Sequence, residues 1–156
     1  MAEYTFNPVQ RVEPGQNIIL NDAIPCNRGY VLHRNESGIV ILRGSTSGCA
    51  CFARYRVTFN GNIAIPEDQP LGPISISLAL DGEPIQTSRA IFTPAEVVED
   101  PVTPANFGNV TSTAIITVPK GCCFTVAVEN TSGGVDGAPA PAILVQNANM
   151  TVARIA

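Results

Sequence analysis

Along ISISLAL, residues 74–80, large aliphatic side chains alternate with small ones. Ile74, Ile76, Leu78 and Leu80 point one way and Ser75, Ser77 and Ala79 the other. A helix would spread these residues around its axis, whereas an extended strand sorts them onto two faces. Asp81-Gly82 then supplies a turn. The same two-residue period recurs in CFARYRVTFNGNIAI (51–65). There Phe52, Tyr55, Val57 and Phe59 are large or apolar and Arg54, Arg56 and Thr58 are polar, which predicts a strand with one wet face. Asn60-Gly61 inside it reads as a turn or a bulge.

Further short runs follow the pattern. QNIIL (16–20) is the first. GYVLHR (29–34) and GIVILRG (38–44) flank Asn35-Glu36-Ser37, which reads as a hairpin loop. STAIITVPKGCCFTVAVEN (112–130) reads as two strands around Pro119-Lys120-Gly121, and AILVQNANMTVARIA (142–156) as two closing runs. Thirteen prolines and thirteen glycines punctuate these segments. TPAEVVEDP (93–101) offers Thr93 as N-cap, Pro94 at the first helical position and Pro101 as a stop, so at most one short helical turn is expected near 94–99. About 8–10 short strands separated by turns predict an all-β protein, a sandwich or jelly roll of two antiparallel sheets, in a single domain over 1–156.

Charge narrows the functions open to such a chain. Only 14% of residues are charged, against roughly 25% in ordinary globular chains. Either little surface is exposed or other subunits cover part of it. Net charge is −4, with one lysine, Lys120, and eight arginines scattered along the chain. Without a basic cluster, nucleic-acid binding is not expected. No apolar run reaches the roughly 18 residues of a membrane helix, so no membrane insertion is expected. MAEYTFNPVQ has no charged stretch leading into an apolar one, which gives the expectation of synthesis in the cytosol without a signal peptide.

Neighbouring residues in a strand face opposite ways, so Cys122 and Cys123 cannot share one core. Cys122 falls in phase with Phe124, Val126 and Val128 and is expected to face the sandwich core. Cys123 falls with Thr125, Ala127 and Glu129 and is expected at the opposite surface or against a neighbouring subunit. The other cysteines are Cys26, Cys49 and Cys51. Five is an odd number, so at least one thiol is free or pairs between chains. The favoured reading of all five is as small buried hydrophobes, with disulfides or intersubunit thiols as the alternative. A zinc site from CAC and CC is disfavoured by the narrow spacing.

Catalytic patterns are missing. His33 is the single histidine and reads as a strand-edge ring with its hydrogen bonds satisfied. The chain has no GxSxG, HExxH or phosphate loop. Neither an enzyme nor a cofactor is expected. Glu96, Glu99 and Asp100 form the densest acidic group, read as a solvated turn with a calcium or ligand loop as the sharper alternative. The absence of tryptophan argues against a sugar-stacking platform. Four N-x-S/T sequons, at Asn35, Asn109, Asn130 and Asn149, read as coincidences of a Thr/Ser/Asn-rich β chain.

The last third, TAIITVPKGCCFTVAVENTSGG followed by APAILVQNANMTVARIA, resembles the final strands of the TNF/C1q-like jelly roll of bacterial and phage type. Val126, Val128 and Asn130 fit one strand of that family and Met150, Val152 and Ile155 the C-terminal one, while PISISLALDGEPI is similar to its central strand and turn. The whole chain also resembles small structural proteins of gut Firmicutes and their phages and the globular heads of spore-surface proteins. The resemblance implies a compact homotrimer, in contact with other virion or surface proteins. The function expected from it is a non-enzymatic building block on a particle surface, such as a phage capsid decoration or head-fibre protein. A spore or cell-surface protein, and a glycan or host-ligand module using loops 93–110 and 131–141, are the alternatives.

Overall fold

The computed structural model describes residues 1–24, 29–34, 36–95 and 106–156. Twelve strands appear among them: β1 (Ala2–Phe6), β2 (Gln10–Val12), β3 (Asp22–Ile24), β4 (Val31–His33), β5 (Val40–Arg43), β6 (Phe52–Ala64), β7 (Ile74–Leu80), β8 (Glu83–Pro84), β9 (Ala90–Phe92), β10 (Gly108–Pro119), β11 (Cys123–Asn130) and β12 (Ile143–Arg154). This exceeds the expected 8–10 because several are two- or three-residue edge pieces. A single 3-10 turn, Gln86–Ser88, interrupts them. The helical turn expected near 94–99 falls mostly on residues 96–99, outside the described residues, and Thr93 to Ala95 carry no regular structure. No helix among the described residues is long and apolar enough to cross a membrane.

Pairing is antiparallel throughout and divides the strands into two sheets. Sheet 1 runs β10-β6-β12-β1-β3, with β2 added to β12; sheet 2 runs β4-β5-β11-β7-β8, with β9 added to β7. The two-residue period explains the sandwich. Tyr55, Val57 and Phe59 of β6, Ile116 and Val118 of β10, and Met150 and Val152 of β12 point inward from sheet 1. Ile74, Ile76 and Leu78 of β7, with Val126 and Val128 of β11, point inward from sheet 2. Each such side chain contributes about 1.5–3 kcal/mol by leaving water.

The expected hairpin of 29–44 is present as β4 and β5, with Val31 opposite Leu42. Asp81 and Gly82 both take positive φ (50° and 84°) between β7 and β8, the geometry of a two-residue hairpin turn. Other expectations shift. Asn60-Gly61 is neither turn nor bulge: β6 runs straight through. The extra residue sits on β12 opposite Gly61, where the register slips between Gln146 and Asn149 and Asn147 adopts φ 52°. The closing segment is therefore one bulged strand rather than two runs. Phe52 is out of phase with Tyr55 and lies on the outer face, its ring under the Arg54 guanidinium at 4.9 Å. Pro119-Lys120-Gly121 joins strands of opposite sheets, so β10 and β11 are not a hairpin.

Two buried polar ties cross between the sheets. Tyr55 of β6 donates its hydroxyl to the Arg43 carbonyl at the end of β5. Asn130, at the far end of β11, is 1% exposed. Its amide donates to the Val12 and Pro141 carbonyls (3.0 Å each) and accepts from the Ser132 amide (3.0 Å). An Asn130→Ala protein leaves these backbone groups without a partner. It should lose about 2–4 kcal/mol of unfolding free energy, checked by urea denaturation; a loss under about 0.5 kcal/mol, the range of ordinary surface substitutions, would show that water replaces the amide.

Candidate functional site

The thiols gather at one end of the sandwich. The 44–51 segment, which leads into β6, is laced to the turn after β10. The Gly44 amide donates to Cys122 O (2.8 Å), the Lys120 amide to Cys51 O (2.9 Å), the Gly121 amide to Ser45 O (3.1 Å) and Lys120 Nζ to Gly48 O (2.9 Å). Gly44 permits this approach, since a Cβ there would lie 1.9 Å from Pro119 O. Cys49, Cys51, Cys122 and Cys123 are all exposed and unpaired. The reading of the cysteines as buried hydrophobes is thus overturned for these four. Cys122 does not face the core because β11 begins at Cys123 and Cys122 still belongs to the turn, where strand alternation has no hold. Cys123 lies on the outer surface, one of the two positions expected. Cys26 lies outside the described residues, as do Glu96, Glu99 and Asp100.

His33 is held as the sequence suggested. Its Nε2 lies 2.9 Å from Ser37 O, and its ring stacks on Tyr4 at a centroid distance of 4.7 Å. Among the described residues, no group of three His, Cys, Asp or Glu side chains comes together to hold a metal.

The opposite end of the sandwich carries a cleft of about 210 Å³ between the loop entering β7 and the 131–141 loop, lined by Leu71, Pro73, Val135, Asp136, Pro139 and others. This is the part of the expected ligand loops that the structure describes. Residues 108–110 of the other loop belong to β10 instead. The loop entering β7 is held to β2 by Arg11, which donates to Asp68 (2.9 Å) and Glu13 (2.8 Å). The hydrogen bond from Arg11 keeps the Asp68 carboxyl below its ordinary range, while both carboxylates push Arg11 upward.

Two features of the outer face of sheet 1 escaped the sequence reading. One is a polar lattice: Asn60 donates to Asn109 Oδ1 (3.2 Å) and Thr111 Oγ1 (2.8 Å), Asn109 to Asn62 Oδ1 (3.0 Å), and Thr113 to Thr58 Oγ1 (3.2 Å). Its signal is legible as Thr58-x-Asn60-x-Asn62 and Asn109-x-Thr111-x-Thr113. The sequon residues Asn109 and Asn149 both lie in strands of this sheet. The other is a set of three exposed apolar side chains toward the thiol end. Ile115 is 64% exposed, Ile155 48% and Phe52 39%. Register interleaves them with polar groups: Ile115 is opposite Arg56, Phe52 is opposite Pro119 and the Ile155 amide bonds Arg54 O at 2.8 Å, so Arg54, Arg56 and Thr117 share this face with the three.

No family model matches the chain and no curated protein matches its sequence. Among solved structures, the globular domain of zebrafish complement 1qA protein aligns with 99% of this chain and 96% of its own, with a TM-score of 0.59 and 13% identity. The fold is a C1q-like jelly roll. At that identity the likeness concerns the fold alone. The CBM22-1 xylan-binding domain from Paenibacillus barcinonensis Xyn10C aligns with 99% of this chain and 94% of its own, with a TM-score of 0.35 and 12% identity, a level that carries no argument.

Exposure of the four thiols gives a direct expectation. Brief alkylation of the folded, reduced protein, mapped by mass spectrometry, should label Cys49, Cys51, Cys122 and Cys123. Protection of Cys122 until denaturant is added would restore it to the core.

Proposed function

We propose that this chain is a non-enzymatic structural and interaction domain. It assembles with two further copies into a trimeric jelly-roll block on the surface of a particle, such as a phage capsid decoration or head fibre. The observation that carries this reading is the exposure of Phe52, Ile115 and Ile155, interleaved with Arg54 and Arg56, on the outer face of sheet 1. Ile115 leaves 64% of its surface in water at the centre of a strand otherwise lined outward by Thr and Asn. Aromatic, aliphatic and arginine side chains exposed together on one face have the composition that interfaces favour. The low charged fraction of 14% supports the same reading. A patch on one face that meets a different surface of the next copy closes into a ring when the rotation allows, and a trimer is the smallest ring of that kind beyond a pair.

A second reading, a module for glycans or another host-surface ligand, draws on the cleft between Pro70–Pro73 and Gly133–Pro141. Rigid scaffolds with loops at one end commonly place recognition there. The apolar, proline-rich lining with Asp136 as its acid suits it less well than the patch suits self-association.

Light scattering on the reduced protein should give a mass near three chains, and Ile115→Lys should reduce it to one chain with the far-ultraviolet spectrum unchanged. A wild-type mass of one chain would overturn the trimer and leave the cleft reading. A trimer present only without reductant would transfer the role of clamp to the exposed cysteines.

A further inference from the structure

The outer face of sheet 2 carries a row of side chains that self-association through sheet 1 does not use. Asn17 forms an antiparallel bridge with Glu129, and Glu129 lies opposite Ser77 on β7. Residues directly opposed across antiparallel strands project to the same face. Their chain neighbours Ile18, Val128, Ile76 and Leu78 fill the core, so Asn17, Glu129 and Ser77 stand side by side on the outside.

Two of these three are closed off to an unusual degree for an outer face, and the third, Asn17, is half-buried. Ser77 is 1% exposed and Glu129 8%. Asn17 Oδ1 and Ser77 Oγ are buried without a hydrogen-bond partner, and among the described residues none is made to the Glu129 carboxylate. Orphaned buried polar atoms cost about 1–3 kcal/mol each and call for an explanation. The adjoining rows provide none. Arg89, just before β9, bonds the next row, where Nε donates to Ser75 Oγ (3.0 Å) and Nη2 to Thr131 O (3.1 Å). On the other side Ala127 faces Ala79, two methyl groups. Burial, and then the negative charge of Glu83, raise the Glu129 pKa above its ordinary value. The row thus holds a carboxylate, an amide oxygen and a hydroxyl, and among the described residues no cation is bonded to them.

We infer that Glu129, Asn17 and Ser77 form a binding site for a hard, oxygen-seeking metal cation of calcium's class. Carboxylate and amide oxygens are the ligands such ions take, with water completing the shell. A single carboxylate places the affinity in the weak range, a Kd of about 10⁻⁴–10⁻³ M.

Thermal melts of the full chain test the site, first in chelator and then in calcium chloride, with magnesium chloride and sodium chloride at matched ionic strength as controls. An ion that binds only the folded state stabilises it. Calcium at roughly ten times that Kd should raise Tm by a few degrees, and the controls should do less. Glu129→Gln keeps the shape and removes the buried charge. It should melt no lower than the wild type in chelator and lose the calcium shift. Asn17→Asp adds a second carboxylate and should respond at about tenfold lower calcium, since each added ligand charge tightens such sites. Three results would each overturn the inference. Equal shifts in all three salts would show a general ionic effect. A calcium shift retained in Glu129→Gln would put the ion elsewhere. An Asn17→Asp protein that only loses stability, with no calcium response, would mean that the Asn17 amide turns to donate to Glu129.

Discussion

Each sheet has one face that cannot be left in water, and the rest of the molecule follows from pressing those faces together. The inner rows are aliphatic and aromatic at every second position, and such packing is strong but gives little directional guidance. Direction comes from the two buried ties. Tyr55 of sheet 1 reaches the Arg43 carbonyl of sheet 2 at the thiol end, and Asn130 of sheet 2 reaches the Val12 carbonyl of sheet 1 at the cleft end. A slip of one sheet over the other would strand these groups, which costs more than the packing it might gain. The sandwich is pinned at both ends by side chains that would be liabilities anywhere else in the core.

With the inner faces committed, the outer faces are free to differ. On sheet 1 the Asn and Thr side chains of β6 and β10 bond to one another, while Ile115, Phe52 and Ile155 stay exposed among arginines. Sheet 2 is lined by small residues along β7 and β11, and its polar row at Glu129 is closed off rather than networked. The ends differ as well. One displays four thiols on a turn and a segment laced by backbone hydrogen bonds; the other opens a proline-lined cleft.

The strand pattern was legible wherever a run alternates cleanly. ISISLAL, the hairpin of 29–44 and the Asp81-Gly82 turn are where the alternation placed them. Failures fall where phase is ambiguous. Cys122 precedes its strand by one residue, so counting back from Val126 assigned it an inward face it never takes. Phe52 is large enough to read as core but has the parity of Arg54 and Arg56. Asn147, in left-handed conformation, lets β12 absorb an extra residue and continue, whereas the sequence suggested a break. Of the candidate sites, the satisfied His33 was foreseen, while the exposure of Ile115 was not.

By itself the sequence determined the class of structure, because two-residue alternation between turn residues leaves an extended chain no stable option but to bury one face of each strand. It also determined which side chains face inward along most strands, since parity within a strand is a local property. Only the tertiary structure decided which strands share a sheet. Pro119-Lys120-Gly121 has the look of a hairpin turn, yet it carries the chain across the sandwich. The choice depends on β6 offering β10 a longer ladder than the shorter β11 could. The row of Asn17, Glu129 and Ser77 was likewise beyond the sequence. Its members are up to 112 residues apart along the chain (129 minus 17), and non-local pairing alone sets them side by side.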